Sequence, residues 1–198
     1  MSAESLEELL ARVRACRACE AELPLGPRPV LRASATARVL IVGQAPGTRV
    51  HKTGIPWNDP SGDRLREWLG IDREVFYDES QIAIIPMGLC YPGRGKSGDL
   101  PPRKECAELW LDGLYSGLPR VRLRILIGRY AQAHHLGTAA TGGGVTATVR
   151  AWRDFAPGAF PLPHPSPRNN LWLRRNNWFE RDVLPELRVA FRAALDGP

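Results

Sequence analysis

The chain predicts an α/β fold, a three-layer α/β/α sandwich around a central, mainly parallel four-stranded sheet. Two observations carry this. Four short apolar runs are separated by stretches of helical periodicity, the pattern of a parallel sheet with helices on both faces. The length of 198 residues leaves room for one such sheet and its covering helices. No internal repeat or linker divides the chain, so residues 1–198 are read as a single domain.

The elements follow in order. Glu4–Cys19 carries Leu6, Leu9, Leu10 and Val13 at helical spacing, which predicts an amphipathic helix running into Cys16-Arg17-Ala18-Cys19. A Pro/Gly loop from Leu23 to Pro29 leads to the first strand, Arg38–Val42. A long loop, Gly43–Gly62, precedes a short helix ending at Trp68-Leu69-Gly70. Ile82–Pro86 is the second strand, and Tyr91–Pro102, with Pro92, Gly93, Gly95, Gly98, Pro101 and Pro102, is a loop. Lys104–Leu118 has helical periodicity through Cys106, Leu109, Trp110 and Leu114, with Gly113 weakening it. Leu123–Ile127 is the third strand, followed by a helix over Tyr130–Leu136 and a small, flexible stretch, Thr138–Gly144. Ala159–Leu162 is the fourth strand. Trp178–Leu195 closes the chain as a helix that Pro185 is expected to kink or divide.

The charge balance is basic, +6 at pH 7, and rests on 24 arginines against three lysines. Arginine suits phosphate because its planar fork makes bidentate contacts. A GC-rich genome inflates arginine equally well, so the charge alone does not establish nucleic-acid binding. No apolar run approaches the roughly 18 residues that span a bilayer. The polar, acidic start Met1-Ser2-Ala3-Glu4-Ser5 is not a secretory signal. A cytoplasmic monomer without membrane contact is expected.

All four cysteines of the chain are Cys16, Cys19, Cys90 and Cys106. A C-x₂-C pair with two further thiols fits an iron–sulfur cluster or a structural zinc, whereas disulfides suit a cytosolic chain poorly. Free cysteines are also common core residues. Against that, the four-ligand reading leaves none unused, and Cys90 begins a Pro/Gly loop.

Two segments stand at the C-terminal ends of predicted central strands, where open α/β sheets bind their ligands. They are Gly43-Gln44-Ala45-Pro46-Gly47 after Val39–Val42, and His164-Pro165-Ser166-Pro167-Arg168-Asn169 after Phe160-Pro161-Leu162. One rim offers a backbone loop shaped by glycine and proline, the other an imidazole set among prolines. Gly93-Arg94-Gly95-Lys96-Ser97-Gly98 is not a P-loop, because its spacing and context are wrong.

Together these segments resemble motifs A and B of the uracil-DNA glycosylase superfamily, and the resemblance runs from Cys16 to about Leu187. The cysteine spacing, the Leu23–Leu31 entry and Gly43–Gly47 resemble the iron–sulfur branch. Thr53-Gly54-Ile55-Pro56-Trp57, Arg66-Glu67-Trp68-Leu69 and His164–Asn169 resemble the single-strand-selective monofunctional branch. The resemblance implies a [4Fe–4S] cluster on Cys16, Cys19, Cys90 and Cys106, with zinc as the alternative. It implies uracil-containing DNA, single- or double-stranded, as partner, and hydrolysis of the N-glycosidic bond of a flipped-out uracil.

The residue roles carry over on the same footing. Trp57 takes the place of the stacking aromatic, and His164 that of the histidine that stabilises the leaving uracil anion. Gln44 stands where motif A often has a water-orienting carboxylate or asparagine, and Asp59 is the nearest downstream carboxylate in that loop. Base contacts are expected from Gly43, Gln44, Ala45, Pro46, Gly47, Trp57, Asn58 and His164, and DNA contacts from Ser166, Arg168 and Asn169. The chain departs from the family at Ile84–Cys90, which lacks the asparagine that usually recognises uracil. Two alternatives therefore stand beside the glycosylase: a uracil-DNA or abasic-site binding protein with little turnover, and a hydrolase of free nucleosides or nucleotides.

Overall fold

The computed structural model describes residues 4–96 and 98–197; Met1–Ala3, Ser97 and Pro198 lie outside it. Helix α1, Leu6–Arg14, opens on a capping box: Ser5 Oγ accepts the Glu8 N–H, and the Glu8 carboxylate accepts the Ser5 N–H. It ends well before the expected Cys19, with Ala15 as its C-cap, so the C-x₂-C pair lies in the turn beyond it.

Strand β1, Val39–Val42, is followed by α2 (Thr48–Thr53), α3 (Pro60–Leu69) and α4 (Arg73–Tyr77), then by β2, Ile82–Ile84. The expected Lys104–Leu118 helix is built of α5 (Lys104–Cys106), a π-wound turn over Ala107–Leu111, and α6 (Asp112–Ser116). Strand β3, Leu123–Ile127, leads into α7 (Gly128–Leu136), α8 (Thr138–Thr141) and α9 (Gly144–Arg150). After β4, Ala159–Leu162, come α10 (Asn170–Arg175), a π-wound turn over Phe179–Val183, and α11 (Leu184–Asp196). The expected Trp178–Leu195 helix is divided between Val183 and Leu184, and Pro185 lies in the first turn of α11, where its missing N–H has no helical partner to lose.

The described sheet has the order β2-β1-β3-β4, with every pairing parallel. Successive side chains of a strand point to opposite faces, and the core divides accordingly. Val39 and Ile41 join Leu65, Trp68 and Leu69 of α3 and Leu187 and Phe191 of α11. Leu40 and Val42 join Leu10 and Val13 of α1, Leu114 of α6 and Ala131 of α7. These are the three layers expected. The chain leaves β1 towards β2 on one side and β3 lies on the other, so the switch point falls beside the C-terminal end of β1. Gln132 of α7 is fully buried and donates to the carbonyls of Leu126 and Leu162, tying the ends of β3 and β4 together just before His164.

The second layer also carries a pH liability. His135, against the Tyr115 hydroxyl at 3.3 Å, has its pKa pushed down to about 4 by burial and by the neighbouring His134 and Arg124. The unfolded chain therefore binds the proton first, and stability is lost as pH falls from about 6.5 towards 4, by about 3 kcal/mol at most. Urea midpoints at pH 7.5 and 4.5 are expected to diverge in the wild type and to diverge less in His135→Leu. An equal acid sensitivity of the two proteins would refute this assignment.

Candidate functional site

A cleft of about 470 Å³ opens at the C-terminal ends of the strands. Its first wall is Gly43–Gly47, directly after β1. The backbone there is occupied: the carbonyls of Gly43 and Gln44 accept N–H bonds from Met87 and Gly88, at 3.0 and 2.9 Å. Two of the motif A carbonyls are thus engaged in fixing the loop. The Gln44 side chain donates from Nε2 to the Leu100 carbonyl at 2.9 Å, leaving Oε1 as its acceptor.

Trp57 forms the floor, and its backbone is strained. With φ at 54°, it is in the left-handed region that a bulky residue rarely enters. Its surroundings impose this. Tyr77 Oη donates to the Pro56 carbonyl at 2.8 Å, and Arg66 Nη1 to the Trp57 carbonyl at 3.4 Å. The Arg66 guanidinium is itself buried over the rings of Phe76 and Tyr77 and bonded to Asp63 at 2.6 Å. Two glycines admit the tryptophan: a Cβ on Gly62 would lie 1.7 Å from the Trp57 carbonyl oxygen, and one on Gly43 2.9 Å from its indole.

The opposite wall is the His164 turn after β4. Nδ1 of His164 accepts the Ser166 N–H at 3.2 Å, so in the neutral ring the proton sits on Nε2. Burial pushes the imidazole pKa below its ordinary value, opposed by the Asp59 carboxylate. The ring lies 5.6 Å from the Trp57 indole, tilted by 36°. Asn169 Nδ2 donates to the His164 carbonyl at 2.7 Å, and Arg64 of α3 donates to the carbonyls of Pro165 and Ser166. Ser166 Oγ caps the turn by accepting the Arg168 N–H.

Most of the expected residues meet in this cleft, including Gly43, Gln44, Ala45, Pro46, Gly47, Trp57, Asp59, His164, Ser166, Arg168 and Asn169. Asn58 does not line it. Its Oδ1 accepts from Arg73 Nη2 at 3.0 Å, because the left-handed turn at Trp57 sends the next residue towards α4. Asp59 is engaged as the N-cap of α3, its Oδ1 taking the Gly62 N–H at 2.9 Å. The residue the sequence reading missed is Asp99, which reaches the cleft from the Tyr91–Pro102 loop. Its only signal in the sequence was its place in a Gly-rich loop.

Away from the cleft, Cys19, Cys90 and Cys106 are buried and Cys16 is half-buried. Burial raises the Cys90 thiol to about 11, and Cys106, Cys16 and Cys19 push in the same direction. Burial raises Cys19 and Cys106 as well, again with other cysteines contributing. The loop between Cys90 and Cys106 folds back so closely that a Cβ on Gly88 would stand 2.9 Å from Pro102. An all-thiol set suits zinc or iron–sulfur chemistry. Among the described residues, no three His, Cys, Asp or Glu side chains are grouped closely enough to hold a metal ion.

Comparison with known proteins agrees with this fold. The model of the Uracil DNA glycosylase superfamily matches residues 32–188, and the chain belongs to that superfamily. It is also similar to the solution NMR structure of "a putative Uracil DNA glycosylase from Methanosarcina acetivorans". That likeness has a TM-score of 0.50 at 15% identity and covers 82% of this chain and 98% of the other. At that identity it speaks for the fold. Among the described residues, no helix is long and apolar enough to cross a membrane.

Proposed function

We propose that the protein is a monofunctional glycosylase that excises uracil from DNA and leaves an abasic site. One observation carries the reading: a neutral imidazole whose Nδ1 is tied to its own turn, leaving Nε2–H for the cleft, beside an indole fixed in a strained backbone. The flipped base stacks on Trp57, an interaction worth about 1–3 kcal/mol against the cost of unstacking. Nε2–H of His164 then donates to the uracil carbonyl on which charge builds as the glycosidic bond breaks. A preorganised donor of this kind needs no proton transfer and stabilises the anion only as it forms. Base contacts come from the Gly43–Gly47 loop and the Gln44 Oε1 acceptor, since Asn58 is turned to Arg73. Ser166, Arg168 and Asn169 meet the DNA strand.

Cys16, Cys19, Cys90 and Cys106 would hold a [4Fe–4S] cluster, or zinc in its place, only by drawing closer together than they stand here. Held there, such a group would crosslink the N-terminal turn to the segment that runs from Cys90 into α5. A brown preparation supports the cluster, and a colourless one with bound zinc the alternative.

The test is a single-turnover assay on labelled single- and double-stranded DNA carrying one uracil, divided between alkali cleavage and a native gel. Uracil-dependent strand breakage after alkali is the expected result. A uracil-dependent shift without breakage would instead favour the binding protein. Activity on free nucleosides alone would remove DNA from the reading.

A further inference from the structure

Motif A of this chain presents an amide, Gln44, where a group able to accept a proton from water would serve the reaction. The two carboxylates that line the cleft among the described residues are Asp59 and Asp99. They are not equivalent. One oxygen of Asp59 is bonded to the Gly62 N–H, and that bond starts α3. Asp99 belongs to no helix cap. It comes from a segment that the sequence marks only as a loop, and three contacts fix its position. The loop is a tight hairpin, with Gly95 N–H on the Gly98 carbonyl at 2.7 Å, Leu100 N–H on the Gly93 carbonyl at 2.9 Å, and an antiparallel bridge between Arg94 and Asp99. Gln44 Nε2 then bonds the carbonyl of Leu100, the very next residue, so motif A itself docks the hairpin. On the other side, Arg168 of the His164 turn lies against Gly98, with Nη1 3.3 Å from where a Cβ would be. The hairpin thus joins the two rims, and Asp99 Oδ2 comes within 3.6 Å of the Cβ position at Gly47.

We propose that Asp99 is the catalytic carboxylate that holds and deprotonates the attacking water, in place of a motif A acid. The proposal rests on the glycosylase reading above. In the step, the water oxygen forms a bond to the sugar carbon C1′. The bond from C1′ to uracil N1 breaks, and its electron pair leaves with the base as the anion stabilised by His164. The water proton passes to Asp99 and from there to solvent. Gln44 acts here as a positioning residue, since its amide nitrogen carries the hairpin and not the water.

The charged groups facing Asp99 are Arg168 from the His164 turn, Arg94 from its own hairpin, and Asp59 at the start of α3. Partial burial raises its pKa above the ordinary carboxylate value, Asp59 adds to this, and the two arginines oppose it. Excision is therefore expected to rise with pH as Asp99 ionises, giving the profile an acid limb. Asp99 caps no helix and belongs to neither core cluster, so its replacement is not expected to disturb folding.

The test is Asp99→Asn beside wild type and Asp99→Glu. Single-turnover excision is followed from pH 4.5 to 8.5, with binding of uracil-DNA and thermal melting measured on the same proteins. Asp99→Asn is expected to slow excision by about 100-fold or more, in the range of general base catalysis. Binding and melting should stay near wild type, the acid limb should vanish, and Asp99→Glu should recover part of the rate. Wild-type cleavage with Asp99→Asn within about threefold of it at every pH would overturn the role of Asp99 and leave the glycosylase reading intact. A rate loss matched by weakened binding, with the acid limb unchanged, would overturn it too. A wild type that cleaves no uracil-DNA would take down the glycosylase reading, and this inference with it.

Discussion

His164→Ala is expected to lower single-turnover excision by about 10²–10³-fold, the range seen when one preorganised anion donor is removed. The donor is fixed before substrate arrives: Ser166 N–H holds Nδ1, Asn169 holds the main chain, and Arg64 holds the following carbonyls. Its contribution falls on the transition state, because charge on the uracil carbonyl grows only as the bond breaks. Binding of uracil-DNA should therefore change by no more than a few-fold while the rate collapses. His164→Gln, which offers an uncharged N–H at a different reach, should fall between the two. Equal losses in binding and rate, or a rate within about threefold of wild type, would return His164 to a structural role in its turn.

Gly62→Ala is expected to disable the site although Gly62 does not line the cleft. Its Cβ would meet the Trp57 carbonyl oxygen at 1.7 Å, and neither atom belongs to a flexible side chain. Either α3 withdraws or Trp57 leaves its left-handed conformation. Withdrawal weakens the Asp59 cap and the Arg66 contact, whose backbone partners are Gly62 and Trp57 respectively. Overpacking of this kind typically destabilises by about 1–3 kcal/mol. Preference for uracil-DNA over undamaged DNA should fall by about 5- to 150-fold, the equivalent of losing the stacking aromatic. Trp57→Ala should give the same loss of preference by removing the ring itself. Competition binding with both DNAs, read with a melting curve for each variant, checks the pair. Retained preference in Gly62→Ala would show that the strained backbone does not set the platform.

The strands were legible because each is a short run of mostly apolar residues, buried throughout except at Arg124 of β3, and burial is the strongest constraint a sequence records. The two rims were legible for a related reason. Gly43-Gln44-Ala45-Pro46-Gly47 and His164-Pro165-Ser166-Pro167-Arg168-Asn169 are dense in residues that fix backbone shape, and each follows a readable strand. Helix ends were less so. Pro185 marks the division of the last helix, but the π-wound turn before it and the start of α11 at Leu184 are seen only in the structure.

The directions of individual side chains were decided by tertiary contacts. Asn58 and Asp59 stand in one loop beside Trp57, and sequence placed Asn58 at the base and Asp59 at the water. The positive φ of Trp57 turned Asn58 to Arg73, while Asp59 became a helix cap that also borders the cleft. Asp99 entered because Gln44 and Arg168, 124 positions apart in numbering, both touch its hairpin. The sequence by itself determined the layered sheet, the place of the cleft at its C-terminal edge, and the imidazole and indole that face it. Only the tertiary structure decided which carboxylate and which amides reach that cleft. Strand burial is set by local composition, whereas a loop side chain is aimed by hydrogen bonds to residues that are distant along the chain.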